Sequence, residues 1–177
     1  ARTRSVCPEN PTGIKGQGGM AVPSDDQPFS DAASELGQGW KVNPFHKVAA
    51  GDTLTIMDVE GPGVIQHIWL VADPAKGRSH IIRFYWDDEE TPSIETPVAD
   101  FFAVGHNLFA PVNSLAVVVN PKSAFNCYWP MPFRKRCRIT FTNEDADELG
   151  LLTYQITYAE TEVPDNAGYF HAQWRRA

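Results

Sequence analysis

Carboxylates crowd one short stretch of the chain. Asp87, Asp88, Glu89 and Glu90 follow Trp86 directly, and Glu95 and Asp100 come soon after. Two carboxyl groups beside aromatic rings are the minimum equipment for glycoside hydrolysis. One protonates the departing oxygen and the other attacks or activates water, about 5.5 Å away in retaining enzymes and further in inverting ones. Aromatic rings matter because the C–H face of a sugar packs on a π-surface. Asp100 is the best single catalytic candidate, since Phe101 and Phe102 beside it would desolvate a carboxyl and raise its pKa. Glu95, Asp87 and Asp88 are the other carboxylates available, and Trp40, Trp86 and Trp129 are candidates for contact with a sugar. The acidic run also reads as a charged hairpin turn that keeps a sheet edge soluble. The five tryptophans, Trp40, Trp69, Trp86, Trp129 and Trp174, with Tyr85 and Tyr128, would equally fill a sandwich core or a subunit interface.

Other chemistries have less support. His46, His67, His80, His106 and His171 form no H-x-H or H-x-x-x-H pair, and three cysteines this far apart make no zinc knuckle, so no metal or cofactor is expected. His67, beside Ile68 and Trp69 in the most apolar segment, reads as a hydrogen-bonded core residue. There is no G-x-S-x-G elbow, and Cys7 lies in a flexible segment with no sign of a paired base. The glycines of Gly13 to Gly19 suggest a phosphate loop, but no strand precedes them, no Lys-Ser/Thr pair closes the run and no amphipathic helix follows. Cys127 and Cys137 lie on neighbouring apolar segments. They either pair in an oxidising compartment or stay reduced and partly buried with Cys7.

The elements that would position these groups are strands. Residues 1–38 form an extended arm, rich in Gly, Pro, Ser and Asp and with little regular structure. Residues 39–177 form the folded domain. Strands are expected at Thr53–Asp58, Gly63–Ala72, His80–Trp86, around Ile94, and at Leu115–Val119, Asn126–Trp129, Cys137–Thr142 and Leu151–Tyr158. The near-continuous apolar run from Gly63 predicts a central strand covered on both faces. Alternation in His80–Trp86 sets Ile82, Phe84 and Trp86 on one side against Ile81, Arg83 and Tyr85 on the other. Only Ala32–Leu36 and Asp100–Val104 read as helical, and both are brief. About eight short strands in one compact all-β domain predict a jelly roll, a two-sheet antiparallel sandwich.

Composition agrees. The 177 residues are 42% hydrophobic and 21% charged, enough to bury a core without a disulfide framework. No apolar run approaches the roughly eighteen residues that span a bilayer, so membrane insertion is not expected. A net charge of −7 argues against nucleic acid as a partner, whose phosphates demand Lys and Arg. The arm and the aromatic ending Tyr169 to Trp174 point instead to contact with other copies of the chain. The sequence opens on Ala1 rather than Met, so it reads as processed or trimmed, and an extracellular or periplasmic location is the expectation.

Several motifs carry a family resemblance. Arg4-Ser5, Glu9-Asn10-Pro11-Thr12-Gly13, Gly39-Trp40-Lys41-Val42, Gly61-Pro62-Gly63 and His67-Ile68-Trp69 resemble, in order, the N-terminal half of glycoside hydrolase family 172. So do Tyr85-Trp86-Asp87, Pro92-Ser93-Ile94-Glu95, Asp100-Phe101-Phe102, Tyr128 to Phe133 and Tyr169-Phe170-His171-Ala172. The resemblance implies a jelly roll. Family members look like two tandem jelly rolls, assemble as trimers or larger oligomers and act on fructofuranosides or arabinofuranosides, and their architecture is shared with double-jelly-roll viral capsid proteins. Their catalytic glutamates belong to the second jelly roll, which in members follows the point where this sequence stops. By the same comparison, Ser79 and Ala99 stand where those glutamates would be, and neither can carry acid/base work.

Two readings follow from the resemblance. In the first, the chain is a self-assembling single jelly roll without a complete catalytic pair, a structural or carbohydrate-binding subunit. It would form a homo-oligomer, as a hexameric ring or stacked rings, with its arm from Arg2 to Asp26 and terminal aromatics lying on neighbours. In the second, it is a furanosidase whose site is completed at a subunit interface or by a separate chain.

Overall fold

The computed structural model describes residues 1–22 and 35–175. In chain order the strands are β1 (Arg2–Val6), β2 (His46–Val48), β3 (Thr53–Glu60), β4 (Gly63–Val71), β5 (His80–Trp86) and β6 (Ile94–Pro97). A four-residue helix, α1 (Val98–Phe101), comes next, and a 3-10 turn covers Pro74–Lys76. Then follow β7 (Val112–Asn113), β8 (Val117–Val119), β9 (Ala124–Cys127), β10 (Met131–Phe133), β11 (Arg136–Asn143), β12 (Leu149–Glu160) and β13 (Ala172–Gln173). The larger sheet runs β1-β12-β4-β9-β8-β7, with β10 also on β4 and β2 also on β12. The smaller runs β13-β6-β5-β11-β3. Pairing is antiparallel except between β13 and β6. Two such sheets face to face form the expected jelly roll.

Every long apolar segment became a strand. The expected eight become thirteen among the described residues because β2, β7, β10 and β13 are two or three residues long, too short to show a period. A fifth addition corrects the reading of the arm. Residues 2–6 pair with β12 from Arg2↔Glu160 to Val6↔Ile156, and Val6 is fully buried. The short helix expected at Ala32–Leu36 falls mostly outside the described residues. The other one appears two residues early, as α1. No helix among the described residues is long and apolar enough to cross a membrane.

The run in β4 has a different cause from the one expected. Ile65 pairs with Tyr158 and His67 with Thr157, so Gln66 is an extra residue in the ladder. Such a bulge reverses the alternation: Gly63 and Ile65 point inward before it, Ile68 and Leu70 after it. The strand is central, but its outer face is not covered, since Gln66 is exposed and His67 and Trp69 are half-buried there. His67 is therefore not a core histidine. Its ring stacks on Tyr128 at 4.6 Å and its Nε2 lies 3.1 Å from Asn126 Oδ1. A second bulge, in β3, puts Ile56 and Met57 inward in succession.

Aromatic rings join the two sheets. Phe84 of β5 lies 5.5 Å from Phe101, Phe101 lies 5.0 Å from Phe102, and Phe102 lies 5.2 Å from Phe125 of β9. The helix α1 thus crosses one side of the core as a plug, with Val98, Ala99 and Phe102 buried. Trp86 belongs to the same core at 1% exposure, because it shares the inward side of β5 with Ile82 and Phe84. It offers no surface to a sugar, which corrects its candidacy as a binding residue.

Cys7, Cys127 and Cys137 are free thiols, Cys127 on the larger sheet and Cys137 on the smaller. Burial pushes the Cys127 thiol up to about 11 and that of Cys137 well above its ordinary value. Neither ionises near neutrality. A disulfide reagent at pH 8 should therefore label Cys7 alone in the folded protein and all three in denaturant; rapid labelling of Cys127 or Cys137 without unfolding would contradict the burial. Gly63 provides a second check. A Cβ there would stand 2.6 Å from Phe133 Cζ and 3.0 Å from the Ala159 carbonyl oxygen. Gly63→Ala should cost about 1–3 kcal/mol in urea denaturation.

Candidate functional site

After β12 the chain leaves the larger sheet and crosses to the edge of the smaller one as a strap, residues 161–175. Arg134 holds its first part. The guanidinium donates to the carbonyls of Pro164, Asp165 and Ala167 at 3.0, 3.2 and 2.8 Å, and lies 5.0 Å over the Tyr169 ring. The Tyr169 hydroxyl donates to Asp87. Trp86 Nε1 donates to the Phe170 carbonyl at 2.9 Å, and the amide of Trp174 donates to the Glu95 carbonyl at 3.1 Å, continuing the β13–β6 pairing.

Between the strap and α1 opens a cleft of about 350 Å³, whose walls include Asp100, Phe101, Trp129, Phe170, Gln173 and Trp174. The Trp129 and Phe170 rings are 5.9 Å apart. A second depression of about 220 Å³ shares Thr96 and Trp174 with the first and adds Arg78, Arg83, Glu95 and Glu144. Together they form an aromatic and polar concavity, in which Asp100, Glu95 and Trp129 are the sequence candidates present. Gln173, Phe170 and Arg78 were not among the candidates. The aromatic ending Tyr169 to Trp174 was their one visible signal, and it reads in sequence as a contact surface.

The carboxylates are dispersed and engaged. Asp87 sits at φ 52° just after β5, and its Oδ1 accepts from the amides of Arg134, Lys135 and Arg136 at 2.8, 2.6 and 3.3 Å. Burial pushes its pKa up, but the Tyr169 hydroxyl and these amides outweigh it and hold the carboxyl below its ordinary value. Asp88 is paired with Arg136 at 3.2 Å, and Glu89 accepts from Ser93 Oγ at 2.9 Å. Glu95 is paired with Arg83 at 2.6 Å, and Arg83 also reaches Glu144 at 3.4 Å. Asp100 lies in the cleft, but Arg78 covers it through Nε at 3.2 Å and Nη2 at 3.1 Å. The carboxylate is mostly buried but not unpaired as its two phenylalanine neighbours suggest: Phe102 turns into the core and the arginine takes the carboxylate. Of the candidate carboxylates, Asp100 alone lines the aromatic cleft.

The remaining candidates separate in space. Trp129 lines the cleft, whereas Trp40 is exposed in the segment between the arm and β2 and does not. Ala99 is fully buried in α1, and Ser79 is half-buried next to β5. Another cavity, of about 490 Å³, includes Lys76, His80 and Asp147. Lys76 bridges Asp145 and Asp147 at 2.9 and 2.8 Å, and burial lowers the pKa of His80. Among the described residues no three His, Cys, Asp or Glu side chains are grouped to hold a metal ion.

Comparison with known families finds the GH172 first beta-sandwich domain over residues 27–175. No curated protein matches the chain.

The strap rests on Asp87, which makes an acid-sensitive prediction. Because its folded pKa is depressed, the stabilisation is complete above the unfolded value of about 3.9 and is lost as pH falls through the folded one. Asp87→Asn should cost about 1–3 kcal/mol at pH 7 and flatten the stability curve below pH ~4. Urea midpoints measured at several pH values check both, and a variant with the wild-type acid limb would contradict the assignment.

Proposed function

The chain belongs to glycoside hydrolase family 172, and we propose that it serves there as a structural and carbohydrate-holding β-sandwich unit without a complete catalytic pair. The observation that carries this reading is the state of its carboxylates. Glycoside hydrolysis needs an acid and a second carboxylate facing one bond from two sides. Asp100 is the one candidate acid in the aromatic cleft and is held by Arg78, while Glu95, its nearest rival, is held by Arg83 in the adjoining depression. Asp87 is spent on backbone amides and Tyr169, and Asp88 on Arg136. Ala99 and Ser79, which by the sequence resemblance stand where the family's glutamates would be, supply no carboxylate.

Self-assembly is the other part of the proposal. Ile14, Val22, Leu36 and Trp40 of the arm and its sequel are all more than half exposed, as are Leu108 and Leu115 in the chain after α1. Exposed apolar side chains such as these, where they gather into one patch, support a surface that another chain covers. A second copy of the chain is the proposed partner, in a ring of closed symmetry.

One observation favours the rival enzymatic reading. Asp100 lies in an open cleft, so a carboxylate from an adjoining chain would complete a pair there.

Two measurements test these proposals. The purified chain should release no product from aryl fructofuranosides or arabinofuranosides at high protein concentration; turnover that disappears in Asp100→Asn would replace this reading with the enzymatic one. Native mass spectrometry should show multiples of the 19.7 kDa chain, and a lone monomer across the concentration range would end the assembly proposal.

A further inference from the structure

We infer that the cleft between the strap and α1 binds one or two rings of an uncharged saccharide. The inference rests on the carbohydrate-holding role proposed above and gives that role a place and a ligand class. Its first support is the exposure of the rings. Trp129 and Trp174 line the cleft at 45% and 37% exposure, and Phe101 and Phe170 in the same wall pack against the core. Rings kept half open at the rim of a concavity offer π-faces to C–H groups.

Charge narrows the class. The carboxylate of Asp100 is matched by the guanidinium of Arg78, which also lies 5.4 Å from the centroid of the Trp174 ring. The pair leaves little net charge to draw an ion, so neither an anionic nor a cationic ligand gains by entering. A purely apolar ligand would instead strip water from Asp100, Arg78 and the Gln173 amide without replacing their hydrogen bonds. Vicinal hydroxyls meet the need, because each both donates and accepts: one donates to the carboxylate while its neighbour accepts from the guanidinium. A neutral ring with an apolar face and hydroxyl edges fits both halves of the wall.

Size and rigidity agree. A volume of about 350 Å³ lies near the lower end of ligand pockets, roughly 300–1,000 Å³, which suits a short sugar rather than a wrapped polymer. The adjoining depression begins at Trp174 and gives a second unit room beside Arg83 and Glu95. The backbone bonds from Trp86 to Phe170 and from Trp174 to Glu95 fix the strap before any ligand arrives, so little ordering remains to be done on binding. Asp100 is held by Arg78 and Glu95 by Arg83, so the site holds the sugar and breaks no bond.

The test is calorimetric and fluorescence titration of the full chain. Sucrose, L-arabinose and D-galactose are the neutral probes; galacturonate and glucosamine are the charged ones. At least one neutral probe should bind saturably in the millimolar range, with the charged probes about tenfold weaker. Trp174→Ala and Trp129→Ala should each weaken binding about tenfold or more. Trp174→Phe should keep most of it, and Trp40→Ala all of it. Thermal unfolding of each variant identifies any loss caused by misfolding, and Trp174→Phe, which keeps a ring on the strap, serves as the second comparison. Failure of every neutral probe to bind, or unchanged binding in both alanine variants, overturns the site. Product in the same titrations overturns the non-catalytic reading and leaves the site standing, whereas neither binding nor product overturns the site alone.

Discussion

Three parts of the molecule meet at one carboxylate. Asp87 leaves the end of β5 with a left-handed backbone, which turns its side chain back on the chain. It then accepts the three successive amides between β10 and β11 while receiving the hydroxyl of Tyr169. The amides belong to the crossing from the larger sheet to the smaller, and the hydroxyl belongs to the strap. An anion shared by four donors is a strong junction, since hydrogen bonds to a charged acceptor are roughly twice as strong as neutral ones. Arg134, whose amide is one of the four donors, uses its guanidinium on the strap carbonyls and the Tyr169 ring. The crossing and the strap are thus fastened at the same point, and the cleft exists because the strap is fastened.

This gives the acidic run Asp87 to Glu90 a meaning different from both of its sequence readings. It is a turn, as the plainer reading had it, but its first residue is an internal ligand for backbone amides rather than a solvated charge. The other carboxylates follow a related logic. Arg83, Arg136 and Arg78 each take one or two of them on or near the smaller sheet, and Arg138 stacks 3.7 Å over Tyr85. A side chain bound in this way is a poor acid and a poor nucleophile until its partner moves. The carboxylates that a count of acids singles out are thus tied by arginines to the sheet surface that carries them.

Strand character was legible wherever a segment was long enough to show a period, as in β5, β11 and β12. The short strands β2, β7, β10 and β13 were not, because nothing in Val112–Asn113 or Ala172–Gln173 differs from a loop. The burial of Trp86 follows from the alternation of its own strand, yet a tryptophan beside four acids attracts a functional reading. The outward position of His67 could not be read, because it depends on a bulge opposite Thr157 and Tyr158, more than eighty residues away in sequence. The phenylalanines beside Asp100 are visible in the sequence, while its actual partner, Arg78, precedes β5 and meets α1 only after the chain has folded. In the site as in the fold, local pattern was visible and long-range pairing was not.

The pairing of β1 with β12 places residues near the two ends of the domain side by side, Arg2 against Glu160 and Arg4 in an ion pair with Glu160 at 3.0 Å. During synthesis β1 emerges first and has no partner until the last long strand follows it from the ribosome. Contacts of this sequence separation make folding slow, because the loop must close before the contacts repay it. Until then the inward side chains of β4 wait for their neighbour on one side, in a nascent chain whose apolar strands are exposed to other nascent copies. A protein proposed to assemble with itself therefore passes through a stage in which unfinished sheets can pair wrongly with each other, and the charged edge of β1, with Arg2 and Arg4, closes that stage when it docks.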